Sequence, residues 1–244
     1  MPTVLTVTGC DVLFAHWPVD PETVDPHVPD ALDVVTFDGS AWVSVLALEN
    51  HGVGPGPIRL PRGLERGIPQ LNLRTYVTAG GRSGVYFLSL DTDSRAAVTA
   101  GRRAFGLPFH RARMRTTRRD GTITFRSRRT DSEAAFQARY RPVGEPYRAE
   151  RGSIESFCIE EFHYLFPGTE DRRRRASGDR DSLRVGTIDR EPWTLRPVEA
   201  TIRRNTLFEA AGLPTPPTDP VTQYAPTFEM RVEPVESVSV SSEA

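Results

Sequence analysis

The sequence predicts a mostly β fold, α+β by content, in which many short strands accompany two or three helices. Three observations lead to this prediction: short segments with alternating or β-branched apolar residues, turn dipeptides between them, and few stretches with helical spacing. The clearest turn is Asp38-Gly39, which lies between residues 32–37 and 41–48 and predicts a tight hairpin. Such a pattern is typical of a β-barrel or a β-sandwich.

The remaining strands follow from the same alternation and from two further turns. Ala79-Gly80-Gly81-Arg82 and Arg119-Asp120-Gly121 each separate two apolar segments, so we expect two more hairpins. In chain order, the other predicted strands are residues 3–8, 12–17, 71–78, 85–90, 109–117, 122–130, 136–141, 183–189, 198–203 and 224–232.

Besides a helix start at Asp20-Pro21-Glu22, with proline in the first helical position, helical signals occur at three places. Residues 95–105 are rich in helix formers, with Asp93 or Ser94 as a cap and Gly106 as the end. Asn205 can cap a much shorter helix near the C-terminus.

The third signal begins at Ser153 and predicts an amphipathic helix to about residue 166. Its apolar stripe includes Cys158, which we expect to behave as a small hydrophobic side chain, and only Glu161 interrupts it.

We predict one β-rich domain over residues 1–233 and a flexible acidic tail over 234–244. Residues 52–67 and 171–181 are expected to be loops. No run of about 18 apolar residues occurs and no signal peptide is recognised, so membrane association is not expected. The two cysteines fit a reducing compartment, and we expect the protein to be cytoplasmic.

Composition excludes several kinds of chemistry. All 31 basic residues are arginine, and the chain contains no lysine. A lysine is required to form a Schiff base and to complete the Walker-type phosphate loop, so neither can be present. The chain also lacks a Gly-x-Gly-x-x-Gly dinucleotide motif after a strand and a Gly-x-Ser-x-Gly nucleophile elbow.

The histidines do not form a metal-binding pattern. Five occur singly, and only Glu160 and His163 have the one-turn spacing of a di-iron half-site, of which no second copy exists. We therefore expect no metal and no cofactor.

Arginines cluster in residues 101–130, which contain ten of them and a single acid, Asp120. On the strand 109–117, residues two apart share a face, so Phe109, Arg111 and Arg113 point to the same side. That face either lies in solvent or lines a cavity. The run 172–175, by contrast, is flanked by acids and predicts a solvated loop without nucleic-acid binding.

A combination of short motifs extends over nearly the whole chain, from about residue 10 to 233. The most specific are His16-Trp17-Pro18, Phe37-Asp38-Gly39, Asn72-Leu73-Arg74-Thr75-Tyr76, Ser89-Leu90-Asp91-Thr92-Asp93, Phe105-Gly106-Leu107-Pro108-Phe109-His110 and Pro192-Trp193. Together they resemble the YqjF-like family of uncharacterised prokaryotic proteins. One local departure is residues 189–191, where that family often carries histidines.

This family is similar to acetoacetate decarboxylase, so the resemblance implies a cone-shaped antiparallel β-barrel around a ligand cavity. The decarboxylase carries its Schiff-base lysine in a Gly-x-Pro-Lys-Lys motif at the end of a helix. The matching segment here is Gly106-Leu107-Pro108-Phe109-His110, which keeps the turn and replaces both lysines. The resemblance therefore implies a binding cavity without imine chemistry.

The same correspondence implies that the Phe109 face looks inward and brings Arg111 and Arg113 near the cavity. A buried guanidinium without a partner is costly, so arginines at such a place suit a carboxylate ligand. Including the residues that share one face of the strand 71–78, the ligand-binding candidates are Asn72, Arg74, Tyr76, Phe109, Arg111 and Arg113.

Three functions remain open at this point. The first is binding of a small, carboxylate-like organic molecule in a barrel cavity. The second is a lyase or hydrolase in which His110 or His16 acts as acid or base with Asp91. The third is a protein-interaction module whose basic hairpin meets an acidic partner. The oligomeric state is left open.

Overall fold

The computed structural model describes residues 4–56, 67–167 and 182–239. Within these ranges the strands are β1 Leu5–Val19, β2 Asp33–Val34, β3 Thr36–Phe37, β4 Ser40–Pro55, β5 Ile68–Ala79, β6 Arg82–Thr92, β7 Phe109–Arg119, β8 Thr122–Arg129, β9 Ala135–Pro142, β10 His163–Pro167, β11 Ser182–Asp189, β12 Val198–Asn205, β13 Val221–Val232 and β14 Glu236–Ser239. The helices are α1 Pro21–Val24, α2 Arg95–Ala100, α3 Ile154–Ile159 and α4 Leu207–Ala210. A 3₁₀ turn, Asp25–His27, follows α1, and a π-helix, Gly101–Phe105, follows α2.

Seven strands close into a ring, in the order β6, β10, β11, β13, β1, β4, β5 and back to β6. A second sheet of β7, β8, β9 and β12 continues from β6. The predicted mostly β barrel is therefore confirmed. It differs from the prediction in two details, because β6 pairs in parallel with both β7 and β10 and because four short helices occur in the described residues.

Alternation along the ring strands gives each strand two buried faces. On β1, Leu13 and Ala15 belong to a hydrophobic cluster that also contains residues of β7, β8 and β9. Val12 and Phe14, which point the other way, belong to a second cluster with α3 and Trp193. We call this second side the α3 face. Both faces are buried, and each strand can therefore hold a polar side chain inside the protein on either side.

The predicted hairpin turns are confirmed. Asp38 and Gly39 have φ values of 49° and 77°, and Asp120 and Gly121 have 51° and 72°. Positive φ at both central residues gives the tight turn whose twist matches that of the flanking strands. Gly80 and Gly81, in the turn between β5 and β6, also have positive φ values, of 55° and 74°.

The helix predicted over 95–105 is also confirmed, although its second half is a π-helix. Ser94 Oγ accepts a hydrogen bond from the Ala97 backbone N–H, and Gly106 ends the segment with φ of 68°. The shorter helix forms at Leu207–Ala210, where Asn205 Oδ1 accepts from the Leu207 backbone N–H.

The helix predicted from 153 to about 166 is wrong in its second half. Ser153 caps α3, but the helix ends at Ile159, and His163–Pro167 form β10, paired with β11. Side chains from distant strands bind the carbonyl groups at the end of α3, as described below. The apolar residues beyond Ile159 therefore belong to a buried strand, and both faces of that strand are covered by other parts of the protein.

The tail predicted from residue 234 contains a strand, since Glu236–Ser239 pair with β11. The predicted loop at 171–181, with its arginine run, lies outside the described residues, and so do residues 57–66 of the loop predicted at 52–67. In the described ranges, no helix has the length and apolar character needed to cross a membrane.

Candidate functional site

Strand register brings three polar residues into one row on the α3 face. His16 on β1 lies opposite Ser44 on β4, and Ser44 lies opposite Arg74 on β5. All three are buried, and directly opposed residues of neighbouring strands point to the same side of a sheet. Residues far apart in the chain therefore meet among apolar side chains.

A chain of short hydrogen bonds links these residues to α3. His16 Nδ1 lies 2.6 Å from Ser44 Oγ, and Ser44 Oγ lies 2.6 Å from the Tyr76 hydroxyl. Tyr76 in turn donates to the Cys158 carbonyl oxygen at 2.6 Å. Hydrogen bonds of this length between buried groups fix the positions of all four residues.

Arg74 is the most unusual member of the site. Its side chain is buried, with the residue only 9% exposed, and Nη2 donates to the Cys158 carbonyl oxygen at 2.7 Å. Nε has no hydrogen-bond partner, and no carboxylate of the described residues forms an ion pair with this guanidinium. A buried cation without a directly bound carboxylate is unfavourable, so Arg74 is positioned to accept an anion, although its charge also acts on the nearby acid Glu161.

His16 is neutral in this setting. Complete burial and the nearby charge of Arg74 lower the pKa of its imidazole to about 3. Its ring stacks near Phe14 at a centroid distance of 6.1 Å, and its Nε2 has no hydrogen-bond partner in the described ranges of the chain. His16 therefore has a free nitrogen inside the protein.

The end of α3 is held from a second direction. Arg190 Nη2 and Trp193 Nε1 both donate to the Ile159 carbonyl oxygen, at 2.6 and 3.0 Å. Arg190 also pairs with Glu160 at 3.0 Å and lies over the rings of Phe162 and Trp193. The carbonyl groups that every helix leaves without partners at its C-terminus are thus bound by side chains, and the Cys158 carbonyl is fixed beside Arg74.

Glu161 follows this helix end. Burial raises the pKa of its carboxyl group, while the charges of Arg74 and Arg190 oppose that rise. Sequence reasoning interpreted Glu161 only as a polar interruption of an apolar stripe. The interruption was the sequence signal that could have placed Glu161 near arginines, because a carboxylate at a buried position needs cationic neighbours.

Asn72 lies on the same strand face as Arg74 but takes part in a different contact. Its Oδ1 accepts from Gln70 Nε2 at 2.9 Å, and Gln70 accepts from Asn50 Nδ2 at 2.8 Å. These amides extend the polar part of the α3 face along β5. The structure thus brings together His16, Arg74 and Tyr76 of the predicted residues and adds Ser44, which the sequence analysis missed, while Asn72 lies on the same face in a separate set of amide contacts.

Asp91 does not join this group. It pairs with Leu71, whose side chain belongs to the cluster on the opposite side of β5. Arg129 Nε donates to both carboxylate oxygens of Asp91, at 2.9 and 3.1 Å. Burial outweighs the attraction of Arg129 and raises the pKa of Asp91 to about 6.

His110, next to Asp91 in the register, is half-buried and lies 3.6 Å from Asp131. Burial and the charge of Arg129 lower its pKa. His110 and Asp91 therefore form a second location, separate from His16.

The arginines of β7 lie elsewhere again. Arg111 and Arg113 are exposed, while Ala112 and Met114 between them are buried. The expectation that this face lines a cavity is wrong for both arginines, because both side chains lie in solvent. Arg111 is the last residue of β7 that pairs with the ring, and Arg113 lies where the strand has continued into the second sheet. Phe109, at the start of β7, is half-buried and packs against Gly101.

Two surface depressions lie on this outer side of the second sheet. One, of about 460 Å³, is lined by Arg119, Arg126, Arg139 and Arg203 among others. The other, of about 470 Å³, is lined by arginines such as Arg113 and Arg128 and also by the acids Asp131 and Glu133. Arg113 is directly opposite Arg128, and Arg115 is directly opposite Arg126. In the described part of the chain, no group of three or more histidine, cysteine or acidic side chains is arranged to hold a metal ion.

Known proteins resemble this chain along nearly its whole length. An uncharacterised protein, YqjF of Bacillus subtilis (strain 168), is 38% identical over 223 residues, which cover 91% of this chain and 87% of YqjF. Acetoacetate decarboxylase from Legionella pneumophila has a similar structure, with a TM-score of 0.64, 11% identity and coverage of 96% of this chain and 87% of its own.

The enduracididine biosynthesis enzyme MppR, solved in complex with pyruvate, also has this fold. Its TM-score is 0.63 at 11% identity, with coverage of 100% of this chain and 93% of that one. At such identities the likeness shows the fold alone. The family model DUF2071, described as an uncharacterized conserved protein, matches residues 6–229. This protein therefore belongs to the DUF2071 family, of which YqjF is a relative, and has the fold of acetoacetate decarboxylase.

Proposed function

We propose that this protein binds a small organic carboxylate through Arg74 on the α3 face of its barrel strands, without Schiff-base chemistry. The observation that carries the proposal is the buried guanidinium of Arg74, which forms no ion pair with a carboxylate of the described residues and has one nitrogen without a hydrogen-bond partner among them. Arginine binds carboxylates with directed hydrogen bonds that are stronger than those between neutral groups.

The side chains around Arg74 have the composition of a small-molecule site. The polar atoms lie among large apolar side chains, including Phe157 against Tyr76 at a ring-centroid distance of 4.9 Å. A few oriented polar groups within an apolar lining are typical of small-molecule sites. MppR, with the same fold, was solved with the small carboxylate pyruvate, which is consistent with this class of ligand.

A lyase or hydrolase that combines His110 or His16 with Asp91 receives less support from the geometry. Both carboxylate oxygens of Asp91 already accept from Arg129, and Asp91 lies on the far face of β5 from His16. His110 has no strong hydrogen bond to a carboxylate. Without lysine in the chain, a decarboxylation that proceeds through a Schiff base has no nucleophile.

Thermal-shift titration with propionate, lactate and pyruvate tests the proposal. We expect at least one carboxylate to raise the melting temperature in a concentration-dependent way, because a ligand that binds only the native state stabilises it. Arg74→Met should abolish that shift, and Arg231→Met, at an exposed arginine, should preserve it. The proposal fails if no carboxylate stabilises the protein or if Arg74→Met retains the shift.

The arginine-rich side of the second sheet favours a second function, association with an acidic protein segment. Like charges placed directly opposite on neighbouring strands are destabilising, and Arg115 faces Arg126 in this way. An acidic partner would relieve that repulsion. Binding of a polyglutamate peptide, measured at increasing salt concentration, tests this function against Arg115→Ser/Arg126→Ser. Equal binding by the wild type and the double variant would argue against it.

A further inference from the structure

Hydrogen atoms can be counted along the chain of hydrogen bonds on the α3 face. The Cys158 carbonyl oxygen can only accept, so the Tyr76 hydroxyl must donate its one hydrogen to it. Ser44 must then donate to the Tyr76 oxygen, since that oxygen has no hydrogen left to give. His16 Nδ1 must in turn donate to Ser44 Oγ, because the Ser44 hydroxyl hydrogen is already donated to Tyr76.

This count fixes the tautomer of His16. The imidazole is neutral, because burial and Arg74 lower its pKa far below the physiological range, and a neutral ring carries one N–H. With that hydrogen on Nδ1, the other nitrogen, Nε2, has a lone pair. Nε2 is therefore a completely buried acceptor without a donor among the described residues, and the neighbouring Gln223 side chain opposes the fall of the pKa only in part.

Gln223 places a second acceptor beside it. Gln223, on β13, lies opposite Phe14 of β1. Phe14 and His16 share one face of β1, so the Gln223 side chain is on that face too, diagonal to His16. Its Nε2 lies 3.4 Å from Glu155 Oε1, and a carboxylate can only accept, so this contact fixes the orientation of the amide. The amide oxygen of Gln223, also fully buried, then has no donor either within the part of the chain that the structure describes.

We propose that the ligand of Arg74 is a short hydroxycarboxylate whose hydroxyl group donates a hydrogen bond to His16 Nε2, beside the Gln223 amide oxygen. This inference rests on the proposed carboxylate binding and specifies the ligand. The carboxylate meets Arg74 Nε, which needs an acceptor, and the hydroxyl meets His16 Nε2, which needs a donor.

Other ligand groups fit the pair of acceptors less well. A ketone oxygen only accepts, so in a keto acid it would face the lone pairs of His16 and Gln223. An ammonium group donates but would place a further positive charge near Arg74. A hydroxyl donates without charge, and a site built for a hydroxyl discriminates strongly against an analogue without it.

Isothermal titration with two matched series tests the inference: lactate, propionate and pyruvate, and 3-hydroxybutyrate, butyrate and acetoacetate. In at least one series we expect the hydroxy acid to bind about tenfold more tightly than the other two, as one well-made hydrogen bond allows. His16→Asn keeps a donor near Ser44 and removes the acceptor, so the preference should fall to within about twofold. His51→Asn, at a half-buried histidine elsewhere, should retain it.

The outcomes separate this inference from the proposed function. If carboxylates bind through Arg74 but hydroxy, deoxy and keto acids bind equally, or if the keto acid binds best, the hydroxycarboxylate inference is overturned and carboxylate binding stands. If no carboxylate binds, both fail. Long-range ¹H–¹⁵N spectra of the wild-type protein give a check that needs no variant: the His16 hydrogen should be on Nδ1, and a hydrogen on Nε2 would overturn the inference.

Discussion

Arg74 and Tyr76, two residues apart on β5, donate hydrogen bonds to the same backbone oxygen, that of Cys158, at 2.7 and 2.6 Å. Because alternate residues of a strand share a face, this spacing lets one strand bind one point at the end of α3. The shared oxygen anchors the helix and leaves Arg74 with its Nε free. Several measurable consequences follow from this arrangement.

Tyr76→Phe should lower the free energy of unfolding by about 1–3 kcal/mol, because it leaves the buried Ser44 hydroxyl without its acceptor and removes a donor from Cys158. Urea denaturation measures the change. Tyr86→Phe is the matched control, since the Tyr86 hydroxyl makes no hydrogen bond with the described residues, and it should change stability by less than about 0.5 kcal/mol. Equal losses in the two variants would contradict the role assigned to Tyr76.

Arg74 and Arg129 are similarly buried, at 9% and 6% exposure, yet they should respond differently to replacement by Met. Arg129→Met leaves Asp91 as a buried, unpaired charge and should cost about 3–5 kcal/mol. Arg74→Met removes a cation that forms no ion pair with the described residues, so that mainly its hydrogen bond to the Cys158 carbonyl oxygen is lost, and it should cost about 1 kcal/mol. Urea denaturation of both variants at neutral pH compares them directly. A loss for Arg74→Met as large as that for Arg129→Met would mean that Arg74 is a structural residue.

The stability of the protein should fall in acid partly because of His16. The folded-state pKa, about 3, lies below the ordinary value near 6.5, so the unfolded chain takes up this proton first as the pH falls. The resulting loss is roughly 1 kcal/mol per pH unit below pH 6.5, and it continues toward the folded-state pKa. Asp91, whose pKa burial raises to about 6, acts in the opposite direction between its ordinary value and pH 6.

The His16 contribution is isolated by comparing the wild type with His16→Asn in urea at pH 6.5, 5.5 and 4.5. The wild type should lose stability more steeply than the variant over this range. Parallel curves would show that His16 has an ordinary pKa in the folded protein, and would argue against its neutral, buried state.

Arg190→Lys should lower the free energy of unfolding by about 1–3 kcal/mol, although the charge is kept. A lysine cannot reproduce the planar contacts with Phe162 and Trp193 while also reaching Glu160 and the Ile159 carbonyl oxygen. Arg231→Lys is the control, because its ion pair with Asp189 is exposed and contributes little. Thermal and urea denaturation should show a loss only for Arg190→Lys, and equal behaviour of the two variants would contradict the role of Arg190 at the end of α3.

The hairpins could be predicted from the sequence because their cause is local. Asp38-Gly39 and Asp120-Gly121 carry the positive φ angles that the turn requires, whatever the rest of the chain does. The common face of Asn72, Arg74 and Tyr76 was predictable for the same reason, since it needs only the two-residue period of a strand.

The contacts between strands could not be predicted in this way. Ser44 joins His16 to Tyr76 only because of the register of β1, β4 and β5, which depends on packing across the whole sheet. The end of α3 at Ile159 depends on donors from Arg190 and Trp193, more than 30 residues later.

The arginines of β7 illustrate the same limit. Alternation correctly placed Arg111 and Arg113 on one face, but which side of the protein that face meets is decided where the strand leaves the ring for the second sheet. Family resemblance gave the fold correctly and gave the wrong side for these two residues.

The central claim, that Arg74 binds a carboxylate, is tested most directly by the NMR signal of its side-chain Nε–H, assigned by its loss in Arg74→Met. Titration with the carboxylate that gives the largest thermal shift should move this signal in a saturable way, with the same dissociation constant as isothermal titration gives. The exposed arginine signals, such as that of Arg113, should change little. A titration in which the Arg74 signal stays unchanged while the carboxylate still binds would contradict the account.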